Sequence, residues 1–308
     1  MAVLAVAVLA VGTSGPLIAA TAAPALAIAF WRNTFGAAAL APFAFWRHLG
    51  ELRALNTGQW LTTLAAGVAL GLHFSAWTPS LTMTSVASAT AFAAAQPIFA
   101  ALIALLRGEH VSRRAWIGIL ISIAGVVALS GVDLRLSVRA FSGDLLALLA
   151  GALAAVYMTF GAKVRQTVSL TPYAVVCYST AALVLAGLAL ATGEHLTGLP
   201  GNAWVKILAL TVGAQLLGHT LFNRVLKTTS PTVVSLCILL EVPAAALIAA
   251  LWLGQVPSWA MVPGAVLILA GLAVVVGSAG SAGASDSDST PRGTDHAGVP
   301  ETADVTHQ

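Results

Sequence analysis

Apolar residues fall in ten stretches, each close to the roughly 20 residues that a helix needs to cross a bilayer. They occupy 2–21, 25–46, 59–79, 85–106 and 113–131, then 143–162, 171–191, 203–223, 232–253 and 258–278. Turn-forming and charged residues cluster in the gaps, as at Arg47-His48-Leu49-Gly50-Glu51, Arg107-Gly108-Glu109-His110, Gly193-Glu194-His195 and Ser230-Pro231. The pattern predicts an all-α integral membrane protein with ten transmembrane helices. Residues 132–142 read as a linker. Residues 279–308, rich in Ser, Gly, Asp and Thr, read as a disordered tail.

The second half repeats the first at a constant offset of 146 residues. Gly67, His73, Pro97, Gly108, Ser112, Gly118, Gly125 and Gly131 map onto Gly213, His219, Pro243, Gly254, Ser258, Gly264, Gly271 and Gly277. Thr13 and Gly15 map onto Thr159 and Gly161. Each unit holds five segments, over residues 1–131 and 143–278. An odd count sets the second unit upside down in the membrane, so two inverted five-helix repeats are expected, an architecture common among secondary transporters. Met1 aligns with Ala147, inside the sixth segment, so the first segment is expected to be slightly truncated. It matches the sixth segment and has no charged leader, which favours a spanning helix over a signal peptide.

Composition sharpens this picture. The chain is 58% hydrophobic and 8% charged, far too apolar for a soluble domain. The tail carries a net −4 and the rest +7. Nine basic residues (Arg47, Arg53, Arg107, Arg113, Arg114, Lys163, Arg165, Arg224, Lys227) fall in loops on one side, against Arg135, Arg139 and Lys206 on the other. The positive-inside rule then places both termini in the cytoplasm, and the basic core points to the inner leaflet of the cell membrane, not to nucleic acid. Trp46, Trp60, Trp116, Trp204, Trp252 and Trp259 sit at segment ends, where an aromatic belt belongs. Cys177 and Cys237 lie deep in different segments and read as two buried thiols.

Away from the segment ends, the only candidates to be ionised in the membrane are Arg32 and Glu241. Such a residue costs about 2.5–3.5 kcal/mol at the bilayer centre on insertion scales, so each implies a partner or a watery cavity. Glu241 lies near the midplane, two residues before Pro243, whose repeat mate Pro97 follows Gln96. Proline frees a carbonyl and kinks a helix. Interrupted segments at matching positions of inverted halves point to a central binding site, here between the fourth and ninth segments. Glu241 fits either a proton or substrate site or a purely structural bond. Arg32 either snorkels to the outer surface or pairs with an anion. His73 and His219 either bond a neighbouring helix or line the cavity, with Gln215 and Asn223 near His219 at helical spacing. No Cys, His and acid cluster supplies a metal site, and no cofactor is expected. Gly12-Thr13-Ser14-Gly15 formally matches an intramembrane serine protease string, but the mate of Ser14 is Phe160 and no other part of that signature appears.

Several strings resemble the EamA-type repeat of the drug/metabolite transporter superfamily. They are Arg107-Gly108-Glu109 followed by Gly118 and Gly125, and Leu253-Gly254-Gln255 followed by Gly264 and Gly271. Leu239-Leu240-Glu241-Val242-Pro243 resembles the Glu-Pro segment of that family's ninth helix, with Val242 intervening. Phe30-Trp31-Arg32 resembles its second-helix arginine. The resemblance implies ten helices around a central cavity and export of small metabolites, often by proton exchange.

The expectation is therefore a proton-coupled secondary exporter of amino acids or similar small metabolites, working by alternating access and not an enzyme. Glu241, Gln96, Pro97, Pro243, His73, His219 and Arg32 form the substrate and proton pathway. The partners are a small-molecule substrate, the lipid bilayer and protons, with a monomer or homodimer as the unit. A passive facilitator, or an intramembrane hydrolase using Ser14, is the alternative.

Overall fold

In the computed structural model, residues 2–218 and 239–287 are described, and they are helical with no strand among them. The first half comprises α1 (Ala2–Gly12), α2 (Ser14–Ala19), α3 (Ala25–Arg47), α4 (Leu49–Ala54), α5 (Thr57–Met83), α6 (Val86–Ala93), α7 (Gln96–Leu106) and α8 (Arg113–Leu136). The second comprises α9 (Val138–Val164), α10 (Leu170–Thr192), α11 (Gly201–Leu210) with a π-helical continuation Thr211–Gly218, α12 (Glu241–Leu253) and α13 (Val262–Ser287).

Five helical stretches are long and apolar enough to cross a membrane: Thr57–Met83, Val86–Leu106, Arg113–Asp133, Val138–Val164 and Leu170–Thr192. Val6–Ala19, Glu241–Leu253 and Val262–Gly277 are shorter apolar helices. Helix α3 has the length, but Arg32, Asn33, Thr34 and Arg47 dilute its apolar character. Two expected single segments are broken. The first turns at Thr13 between α1 and α2, and the fourth turns at Ala94 and Ala95, just before Gln96 and Pro97. The connection expected over 132–142 narrows to Ser137, whose hydroxyl accepts from the Ala140 N–H (2.9 Å) and starts α9 directly after α8. Helix α13 continues past residue 278 to Ser287, with no proline to stop it before Pro291; the remainder of the tail lies outside the described residues.

Local chemistry explains many of the ends. Asn56 and Gln59 form a reciprocal capping box at the start of α5 (2.9 Å each way). Ser85 and Ser112 cap α6 and α8. Gly108 and Gly254, repeat mates, end the fourth and ninth segments in the left-handed region (φ 78° and 67°), where a side chain is strained.

Helices α3 and α10 lie antiparallel, and each receives a carboxylate from the segment that follows the other. Glu194 accepts from the Leu26 N–H at 3.1 Å and Glu51 from the Ser169 N–H at 2.5 Å. Helix N-termini favour anions, so the pair is fastened at both ends. Burial opposes the charged form of Glu51, but the Ser169 backbone and hydroxyl and the His48 ring hold its carboxyl below the ordinary value.

Glycine lets α8 and α13 touch backbone to backbone. A Cβ on Gly118 would lie 2.5 Å from the Gly271 carbonyl oxygen, and one on Gly125 would lie 2.7 Å from that of Gly264. Between them Ser122 donates to the Ile268 carbonyl at 3.2 Å. Lipid supplies no hydrophobic drive between helices, so this close approach carries the association. Gly125→Val is expected to lower unfolding free energy by about 1–3 kcal/mol through overpacking. Gly131→Ala, which has open space around it, should leave thermal unfolding of the detergent-solubilised protein unchanged.

Candidate functional site

Arg32 sits in the middle of α3 and is only 2% exposed. A guanidinium stays charged and carries five donors, so a buried one must gather acceptors and π faces. Its Nε donates to Gln215 Oε1 at 2.9 Å. Its central carbon stands 4.4 Å from the centre of the Phe74 ring, a cation–π distance. Nη1 is buried with no hydrogen-bond partner among the described residues. Tyr178 of α10 and Glu241 at the start of α12 lie within electrostatic reach of the guanidinium. Side chains from α3, α5 and the π-helical turn therefore meet at the guanidinium, with Tyr178 of α10 and Glu241 of α12 within its electrostatic reach.

Backbone features make room for this meeting. Gly36, one turn beyond Arg32, faces Gln215 and Tyr178; a Cβ there would lie 2.5 Å from Gln215 Nε2 and 3.2 Å from Tyr178 Cδ2. Gln215 itself belongs to the π-helical turn, a departure from α geometry that often marks functional positions. Glu241 is half-buried in the first turn of α12, where the helix dipole favours a carboxylate.

The remaining sequence-derived candidates divide. Arg32 does not snorkel to the surface; it is held inside the bundle. His73 uses Nδ1 to bond the Ala150 carbonyl of α9 at 2.8 Å, and since a carbonyl only accepts, that nitrogen carries the hydrogen. Gln96 donates through Nε2 to the Met158 sulfur, also on α9. Pro97 and Pro243 stand in the first turns of α7 and α12, and Pro243 is exposed. His219, Asn223 and Cys237 lie outside the described residues. Cys177 is buried and free. No group of three metal-ligating side chains occurs among the described residues. A cavity of about 300 Å³ opens elsewhere, between α7 and α9, lined by Ile103, Arg107, Phe160 and Lys163 among others.

Sequence reading missed Phe74, Gly36 and Tyr178. For Tyr178 the signal was present, because adding 146 to Arg32 gives Tyr178: the two are repeat mates. For Phe74 and Gly36, ordinary apolar and small residues, there was none.

If Gln215 serves as the Arg32 acceptor, Gln215→Leu should lower unfolding free energy by about 1.5–3 kcal/mol, the range for a hydrogen bond to a charged group. In an Arg32→Leu background the same change should cost far less, which a double-mutant cycle of unfolding in detergent measures. Equal costs in both backgrounds would mean the bond carries no stability.

The model of the EamA-like transporter family matches residues 1–131 and 141–277. No match was found among curated proteins. One solved structure, described only as "Crystal structure of protein", is 22% identical, with a TM-score of 0.61 over 89% of this chain and 95% of that one. A likeness at that identity speaks for the fold. The family match and the long apolar helices together make this a multi-pass membrane protein. Matched over nearly its whole length, the chain belongs to the EamA-like transporter family of the drug/metabolite transporter superfamily.

Proposed function

We propose that the chain is a proton-coupled secondary transporter that exports amino acids or similarly sized metabolites across the cytoplasmic membrane by alternating access. The observation that carries this reading is the buried Arg32 guanidinium, its Nη1 unpartnered among the described residues and Glu241 within its electrostatic reach. A fixed cation beside a titratable carboxylate suits a zwitterion. The substrate carboxylate takes Arg32, its ammonium group takes Glu241, and a proton on Glu241 replaces the ammonium on the return step. Phe74 and Tyr178 supply an aromatic wall, and Gln215 fixes the guanidinium plane. Gln96, Pro97, His73, His219 and Pro243 belong to the wider pathway by their place in the fourth, third, eighth and ninth segments.

In this reading ten spans form two inverted five-helix units, 1–131 and 143–278, with both termini in the cytoplasm. Helices α1 with α2, α6 with α7, and α11 with its π-helical continuation each count as one span. Support comes from the way repeat mates meet. Arg32 on α3 lies beside Tyr178 on α10, and Ser122 on α8 bonds Ile268 on α13. Each pair is separated by the 146-residue offset. The contacts Gly118–Gly271 and Gly125–Gly264 exchange under the same offset. Such self-paired helices are what a two-fold axis in the membrane plane requires, and rocking of one unit against the other then exposes the site to each side in turn. A single chain holds the whole site, so a monomer suffices and a homodimer would repeat it.

Proteoliposomes loaded with labelled amino acids test this reading. An imposed proton gradient is expected to drive movement of one solute class in the wild type. Glu241→Gln should reduce the gradient-driven component by about tenfold or more, the equivalent of one charge-assisted hydrogen bond. Equal rates for both proteins at every pH would overturn proton carriage by Glu241, and flux that ignores the gradient and never exceeds equilibration would indicate a passive facilitator.

A further inference from the structure

Two carboxyl groups far from Arg32 in the chain are almost completely enclosed. Asp133, in the last turn of α8, and Asp144, in the second turn of α9, are each 1% exposed. They interact directly across the α8–α9 junction, with Thr84 as the other neighbour of Asp144. Asp133 is satisfied on one oxygen, because Ser88 of α6 donates to its Oδ2 at 2.9 Å. Ser85, half-buried, donates in turn to Ser88 at 3.0 Å, so a short hydroxyl chain leads from the rim of the bundle to Asp133. Asp144 is different: among the described residues neither of its oxygens receives a hydrogen bond, and Thr84 Oγ1, 9% exposed, is also unpartnered. Gly143 creates this enclosure. A Cβ there would lie 2.9 Å from the Thr84 nitrogen and from Met83 Cβ, so α9 is pressed against the end of α5.

Among the described residues no countercharge pairs with either carboxyl group. Helix α8 brings Arg135 and α9 brings Arg139, both exposed, and Arg139 spends Nη2 on the Thr82 carbonyl at 3.1 Å. The ends of α5 and α6 bring only Thr84, Ser85 and Ser88. The loop after α12 brings Gln255, whose Oε1 takes the Val86 N–H at 3.1 Å. The ion pairs among the described residues are His48–Glu51 and Arg107–Glu109, both elsewhere. Two neighbouring carboxylates both ionised in such a place would combine desolvation with like-charge repulsion.

We infer that Asp133 and Asp144 form a buried proton-binding site in which one proton is shared by the two carboxyl groups. The proton resides on Asp144, whose O–H donates to Asp133. It supplies the missing donor and removes one of the two charges. The Ser85–Ser88 hydroxyls give it a route to the surface. The site is separate from Arg32 and Glu241, and it welds the end of the first half to the start of the second without a salt bridge.

Infrared difference spectroscopy on the full chain in liposomes, titrated from neutral to alkaline pH, tests this inference. The wild type and Glu241→Gln are both expected to show a protonated-carboxyl C=O band that vanishes as pH rises, while Asp144→Asn lacks it. Thermal unfolding supplies a second readout. A proton held in the folded state and lost in the unfolded chain gives stability that fades as pH rises through the folded-state titration. In Asp144→Asn the amide mimics the protonated acid, donating to Asp133, so this variant should keep wild-type stability near neutrality and escape the alkaline loss. A neutral-pH spectrum without the band, a band untouched by Asp144→Asn, or stabilisation by sodium ions in place of protons would each overturn the inference.

Discussion

A guanidinium cannot shed its charge, and placing one in the centre of an apolar helix bundle constrains everything near it. Arg32 is that group here. Its Nε needs an acceptor, which Gln215 supplies from a helix wound locally as a π turn. Its face needs a π surface, which Phe74 supplies. Gln215 can reach it only because position 36 has no side chain. Glu241 at the start of α12 lies within electrostatic reach of the cation. Removing Gln215 would leave the buried Nε without an acceptor, and removing Arg32 would leave a carboxylate without its cation; both are costly where water is scarce.

Around this centre, association rests on small residues and on ends that are tied. Gly118, Gly125, Gly264 and Gly271 let α8 and α13 approach to backbone contact. Glu51 and Glu194 fasten α3 and α10 at opposite ends, each acting as an N-terminal anion for the other helix.

Much of the architecture was legible in the sequence because bilayer thickness imposes a length on apolar runs and duplication imposes an offset. The helical class, the long apolar segments and the family could all be read this way. What escaped reading has physical causes. The turn at Ala94–Ala95 falls just before Pro97, whose kink was read, whereas the turn at Thr13 was not, so the first segment looked continuous. His73 bonds the Ala150 carbonyl of α9, one of the two outcomes read for it, but Gln96 turns toward Met158 of α9, a choice of helix face that repeat symmetry does not reveal. The burial of Asp133 and Asp144 follows from Gly143 pressing on Thr84 and not from any pattern in their own segments. Tyr178 was the one missed residue that the offset itself pointed to.

If the Arg32 cluster is the point on which alternating access turns, it must open to both sides of the membrane in turn. Tyr178→Cys, in a chain with Cys177 and Cys237 replaced by Ser, places a thiol beside Arg32 for membrane-impermeant reagents applied to either face of proteoliposomes. The account expects labelling from both faces, with the favoured face reversing when the imposed proton gradient is reversed. Labelling from one face only under every gradient, or from neither, would contradict it.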